Sequence, residues 1–404
     1  MTKPLALAGA KAGNMKSIDA IRGYAVLLVI ICHIPSHIAE LVWPVKRLLL
    51  MGNYGVQLFF LASAVTLLMS WRGTKGKFYS KYKSFFIRRI FRIAPLYFSA
   101  IIFYWLVDGR TAAEFNLPTL LSTLLFYNAW SPYLMPAIAS WMPVPGGWSI
   151  SVEFCFYLIF PILAGVAFSL KRSFLFFLIS VLAMILGFFI GAHLYPELDS
   201  YSQIKFLYFW PPNQLVIFSV GFVLYFSLQN TSWSLALRES KKSPLIATIA
   251  LGIAFVGFSY YPAEVTRTIP NALPPLHLII TVIMALWALI IINHPGPVIV
   301  NKWIVSLGEA SFSVYILHFA VLASVSMAME RYWPFPKDGI LSVAYAGSML
   351  VCSVSLSFLF AKFTYKHLEL PFIRYAKRLT TENRASNAVI APTLLGKDVN
   401  AASV

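Results

Sequence analysis

Apolar runs of about 20 residues recur along the chain from residue 21 to residue 363, separated by polar, Pro- or Gly-rich breaks. Each is long enough to cross the roughly 30 Å hydrocarbon core of a bilayer as a helix. They lie near residues 21–42, 53–71, 90–107, 148–168, 174–194, 211–228, 244–261, 275–293, 303–327 and 340–363. The pattern predicts an all-α integral membrane protein, a bundle of about ten transmembrane helices. A further apolar stretch, "LPTLLSTLLFYNAW" at 117–130, is too short to span and falls in the longest predicted outside loop, where a re-entrant segment is one reading. No internal repeat stands out, and the end from Thr380 lacks strong periodicity and reads as a mobile tail.

Composition agrees with this pattern: 59% of the 404 residues are hydrophobic and 12% charged, and the mean hydropathy is +0.74. In a soluble protein the net charge of +17 would suggest a polyanionic partner. Here the cations cluster in particular loops. Arg72, Lys75, Lys77, Lys81, Lys83, Arg88, Arg89 and Arg92 follow the second apolar run, and Lys362, Lys366, Arg374, Lys377 and Arg378 follow the last. The positive-inside rule makes these loops cytoplasmic, and Lys171, Arg172, Arg238, Lys241, Lys242 and Lys302 then also fall inside. Both termini become cytoplasmic: residues 1–16 as an N-terminal segment, 17–375 as one membrane domain and 376–404 as a tail. Lys46, Arg47, Arg110, Lys205, Arg267, Arg331 and Lys337 are left outside, several beside acids such as Asp108, Glu264 and Asp338.

Cys32, Cys155 and Cys352 all fall within apolar runs, so no extracellular disulfide framework is indicated. The first run has no preceding cleavable leader pattern and reads as a signal anchor. No nucleotide-binding Gly loop, metal-type Cys/His spacing or nucleic-acid module is present, so neither a metal nor a nucleic-acid partner is expected.

Ionisable groups inside the apolar runs are the candidates for chemistry, because such groups are costly in a bilayer. Arg22 and His33 lie eleven positions apart, three helical turns and roughly 16 Å along one face. They can line one channel, gripping an elongated ligand at one end and reacting with it at the other. The plainer alternative is an Arg22 that snorkels to headgroups and a His33 in an interhelical hydrogen bond. "RRIFRIAP" sets Arg88 and Arg92 on one helical face with Arg89 adjacent, forked donors suited to phosphates or simply a positive-inside anchor. "GGWSISVEFCFYLIFP" opens a run with Trp148, Ser149 and Ser151 and carries Glu153 into it, to orient a histidine, to bind a hydroxyl or to make a structural bond. "SFSVYILH" places Ser311, Tyr315 and His318 in one polar stripe, which helix packing also explains. His37 and Glu40 continue the His33 face, while His193, His277, His294 and His367 fall near run ends, where an interfacial role is expected.

Taken in order, "SIDAIRGYAVLLVIICH", "GVQLFFLASA", "RRIFRIAPLY", "WSISVEFCFYLIFP", "SFSVYILH" and "HLELPF" resemble the signatures of the acyltransferase 3 family, from Ser17 to Tyr375. The resemblance implies a multi-pass enzyme of the cell inner membrane, of bacterial type. It would transfer an acyl group, commonly acetyl from acetyl-CoA, to a hydroxyl of a glycan or lipid-linked saccharide; some members acylate small molecules such as macrolides. It further implies that Arg88, Arg89 and Arg92 bind the CoA phosphates and that His33 and Arg22 serve catalysis with Glu153. Trp148, Ser149, Tyr315 and His318 would line the pocket. His33 as general base and His33 as transient acyl carrier both remain open. Two departures stand out: Gln57 where an acid or small polar residue is usual, and Ala64 where glycine is, which puts close helix approach there in question. The segment after Pro371 is too short for an appended hydrolase-like domain, so a stand-alone transferase is expected. A transporter of glycan or acyl units and a noncatalytic membrane partner are the rival readings.

Overall fold

The computed structural model describes residues 7–74, 76–111, 114–135, 141–229, 243–260, 276–333 and 338–381. Lys75, Arg238, Lys241, Lys242, Glu264, Arg267, Lys337 and the segment after residue 381 lie outside the described residues. Among those described, every regular element is a helix. In chain order they are α1 (Leu7–His33), α2 (Trp43–Leu50), α3 (Gly55–Gly73), α4 (Phe78–Val107), α5 (Leu117–Leu124), α6 (Gly147–Val166) and α7 (Leu170–Leu194). There follow α8 (Ser200–Phe209), α9 (Pro211–Ser227), α10 (Ser243–Ser259), α11 (Leu276–Asn293), α12 (Lys302–Glu309), α13 (Ser311–Tyr332) and α14 (Leu341–Thr364).

Among the described residues, eight helical segments are long and apolar enough to cross a membrane, and α8 with α9 forms a ninth if the pair, bent by 42°, is one span. The bend has a local cause. Pro211 lacks the N–H that would continue α8 and holds Trp210 extended, at φ −67° and ψ 128°, while suiting the first turn of α9. The shorter apolar stretch Pro244–Ser259 lies in α10. The chain is thus a multi-pass helical membrane protein.

One expected span begins later than the apolar run suggests. Residues 302–309 form α12, capped by Asn301, whose Oδ1 accepts from the N–H groups of Trp303 and Ile304 at 3.0 Å each. This helix packs along α1, and the membrane segment starts only at Ser311. The close approach depends on Gly308, where a Cβ would run into the Asp19 carbonyl.

Helix α1 is the hub, packed by α3, α11, α12 and α13, while α7 and α14 pack on the outside through α9 and α13. Burial follows: 61% of the most apolar window is enclosed in the α1 segment, against 28% in α7 and in the last segment. On α7, Leu175, Ile179, Leu182 and Leu186 form an exposed stripe whose solvent is lipid. The two departures from the family pattern are accommodated. Ala64 meets Gly221 of α9, where an added Cβ would stand 2.5 Å from the Ala64 Cβ, so the partner helix supplies the glycine. Gln57 is fully buried, and its Nε2 donates to Tyr208 Oη at 2.8 Å.

Candidate active site

Five helices converge on one narrow cleft. Helix α1 contributes Arg22, α3 contributes Phe59 and Ser63, α4 contributes Arg89 and Arg92, α6 contributes Ser149 and Glu153 with Tyr157, and α13 contributes Ser311 and Tyr315. Seven residues singled out from the sequence, Arg22, Arg89, Arg92, Ser149, Glu153, Ser311 and Tyr315, therefore share one wall system. Arg22 donates to Asp19 Oδ1 at 3.3 Å and to Thr66 Oγ1 at 2.9 Å. Thr66 is itself fixed, since its hydroxyl donates to the Ala62 carbonyl at 3.0 Å and leaves a lone pair for the guanidinium. Glu153 accepts from Ser63 Oγ at 2.6 Å. Arg22 lies within electrostatic range of Arg89, Arg92, Asp19 and Glu153. Three guanidiniums against one carboxylate in the lining make the cleft cationic inside an apolar bundle.

Arg89 and Arg92 also line a second depression, with Arg88 and with Lys377, Thr380 and Thr381 from the helical continuation of α14. This depression opens at the basic end of the bundle, where the Arg72 guanidinium donates to the Phe168 carbonyl at 2.7 Å and ties α3 to the α6–α7 connection. Two cavities thus meet at the same pair of arginines. Arg88 belongs to the outer one and not to the inner cleft.

At the far end of the cleft, Tyr315 Oη shares a hydrogen bond with Ser149 Oγ at 2.7 Å and donates to the Gly146 carbonyl at 3.0 Å. Gly146 caps α6 at φ 77°, a left-handed conformation, and a Cβ there would press on the Tyr315 hydroxyl. Beyond Tyr315 stand the two imidazoles. The His318 ring centroid is 5.6 Å from that of Tyr315 and 5.4 Å from that of His33, and Phe319 lies against both histidines at 4.5 and 4.1 Å. His33 does not line the cleft that holds Arg22: Tyr315 borders both places. Trp148 stands behind the wall, with its ring against Phe60, Tyr208 and Phe209. His277, expected at an interface, is buried against Tyr208 and Phe188. His193 stays exposed, with Nδ1 on the Phe189 carbonyl of its own helix.

The sequence reading missed Asp19, Ser63, Thr66, Tyr157 and the buried carboxylate of Glu369. Ser63, Thr66 and Ser70 recur at i, i+3 and i+7 on apolar α3, the same signal that marked the α13 stripe. Glu369 is the last residue of a π turn, Tyr365–Glu369, and accepts from Ser313 Oγ. That turn swings it into the core, and no local pattern announces it. Among the described residues, no group of three or more His, Cys, Asp or Glu is placed to hold a metal ion.

Comparison with known proteins supports one family. The chain is 26% identical over 388 residues to a Staphylococcus aureus (strain MSSA476) protein provisionally named an O-acetyltransferase, covering 89% of this chain and 57% of that protein. It is 25% identical over 361 residues to acyltransferase MdmB of Streptomyces mycarofaciens, covering 84% of this chain and 88% of the relative. An Acidianus two-tailed virus protein, provisionally named an acetyltransferase, matches at 25% over 337 residues, 80% of this chain and 91% of its own. The chain therefore spans little more than half the length of the staphylococcal relatives. No solved structure matches it. The model of the acyltransferase domain of the acyltransferase 3 family matches residues 15–362, which covers the hub helix, the cleft and both imidazoles: the chain belongs to that family.

Proposed function

We propose that the protein is a membrane O-acyltransferase that moves an acyl group, acetyl by preference, from acyl-CoA to a hydroxyl of a cell-envelope or exported glycan. The observation that carries this reading is the pair of cavities that share Arg89 and Arg92 in their walls, one at the basic end of the bundle and the other reaching Tyr315, whose ring stands against His318. An excess of cations over carboxylates inside an apolar bundle favours the arrival of an anion, and a polyphosphate tethered to a long neutral arm suits a basic mouth followed by a narrow interior. The relatives' names, acyltransferase and O-acetyltransferase, agree in reaction class.

The site residues then divide by position. Arg88, Arg89 and Arg92 receive the CoA phosphates as forked donors, and the pantetheine arm passes Arg22 toward Tyr315. His33 takes the proton of the acceptor hydroxyl as its oxygen bonds to the thioester carbonyl carbon. The carbon–sulfur bond breaks, and the thiolate leaves with that proton as CoA thiol. Ser149 and Tyr315 offer hydroxyl donors toward the developing oxyanion, and Glu153 orients the acceptor or the arm. Trp148 supports the pocket from behind.

In this reading the helices make ten spans, with α9 and α10 included. Residues 1–16 and 376–404 are cytoplasmic, 17–375 form the membrane domain, and the membrane is a bacterial inner membrane. The cation clusters around Arg72, Arg88 and Lys377 support the orientation. Membrane lipids surround the domain, and the acceptor enters from the opposite side.

The test is CoA binding by the purified protein. The double variant Arg89→Gln/Arg92→Gln is expected to weaken it at least about tenfold, one lost charge-assisted contact being sufficient for that. His33→Ala should leave it unchanged. Equal binding by wild type and the double variant would remove the donor from this entrance.

A further inference from the structure

His318 is fully enclosed, and its two ring nitrogens are treated differently. Nδ1 faces the Tyr315 carbonyl one turn back on its own helix. A carbonyl can only accept, so that nitrogen carries the proton of the neutral ring. Nε2 is then an unprotonated acceptor, and it is buried without a hydrogen-bond partner. Burying such an acceptor unsatisfied is unfavourable, which makes a catalytic or binding use the natural explanation. A second imidazole stands beside this ring: His33, its centroid 5.4 Å away and its plane tilted by 38°, with Phe319 packed on both rings. Rotation of the rings can bring His318 Nε2 and a nitrogen of His33 to hydrogen-bond distance across that separation, and such contacts commonly tighten only when substrate is bound.

The geometry points to a histidine dyad in which His318 is the positioning residue for His33, accepting a hydrogen bond at Nε2 from His33 whenever His33 has taken up the acceptor proton. The inference rests on the acyl-transfer reading for its purpose, but not for its geometry. During transfer one nitrogen of His33 gains the hydroxyl proton while its other N–H donates to His318. His318 stays neutral, and His33 later releases the proton to the leaving thiolate, so the pair returns to its starting state. The Tyr315 carbonyl fixes the tautomer in the way that an orienting carboxylate does for other catalytic histidines. It also couples the pair to the cleft, because the hydroxyl of the same Tyr315 is bonded to Ser149. The titratable groups facing His33 are His37 on the same segment, Lys205 from α8 and His318 from α13, with Glu330 beside His37.

Two readouts on one pair of variants test this. His318→Phe keeps a planar ring against Phe319 and removes the acceptor, whereas His318→Gln restores an acceptor near the Nε2 position. By 15N NMR of labelled imidazoles in wild type, His318 should show the Nδ1-protonated form. The His33 titration midpoint should fall in His318→Phe and recover partly in His318→Gln, because loss of the acceptor disfavours the charged ring. In acetyl transfer, His318→Phe should lower kcat about 100-fold with little change in KM for the donor, and His318→Gln should be intermediate. An unmoved His33 midpoint, or transfer by His318→Phe equal to wild type, would overturn the dyad. A moved midpoint in a protein that transfers nothing would uphold the dyad and sink the acyl-transfer reading instead.

Discussion

At the scale of single residues, the free energy of this site is concentrated in a few polar atoms that an apolar bundle has to justify. Glu153 shows how. Its carboxylate accepts from Ser63 and sits within electrostatic range of Arg22 and Arg89. Glu153→Gln preserves the volume and the Ser63 bond while removing the charge. Folding should therefore survive, and transfer should fall at least about tenfold, the scale of one lost charge-assisted contact. Steady-state rates at matched levels of folded protein check this, and a rate equal to wild type would make Glu153 a structural residue. The sequence exposed such residues because Arg, Glu and His are rare and expensive in apolar runs. Ser63 and Thr66 escaped notice because a hydroxyl can satisfy itself on its own helix, as Thr66 does on Ala62, and so carries no comparable penalty.

At the scale of elements, hydrophobic length located the helices but not the way they meet. The run at 303–327 reads as one span, yet the chain turns at Ala310 and lays α12 across α1. Periodicity cannot see that turn, since both halves are apolar on the face that packs. What permits the arrangement is Gly308 against the Asp19 carbonyl, three residues from Arg22. Gly308→Ala should push α12 off the hub and destabilise the protein by about 1–3 kcal/mol, the usual cost of overpacking. Gly165→Ala is the control: a Cβ there meets nothing within 4 Å, and alanine favours the helix. Thermal unfolding of the purified variants distinguishes them, and equal melting temperatures would mean that the α1–α12 contact yields without strain. Legibility failed similarly at the π turn, where one extra residue in the turn re-aims Glu369 toward Ser313.

At the scale of the whole molecule, two gradients are superposed. Burial falls from α1 outward to α7 and α14, where leucine and isoleucine face lipid. Along the bundle, charge runs from the basic mouth around Arg88, Arg92 and Lys377 to an opposite end where Arg110 is paired with Glu114 at 2.9 Å and Asp108 at 3.9 Å. The charge gradient was legible from sequence because topology selects for it. The sharing of Arg89 and Arg92 by two cavities was not, because it depends on where the continuation of α14 passes α4. In the proposed function these gradients become a path with a direction, a polyanion entering at one end and a hydroxyl arriving from the other. The most direct test of that path uses inside-out membrane vesicles, which present the cytoplasmic face to the medium. Acetyl-labelled acetyl-CoA is added outside, and label is measured in the glycan fraction for wild type and His33→Ala at equal folded protein. The account predicts label in wild type and a loss of about 100-fold or more without His33; equal labelling of the two would contradict it.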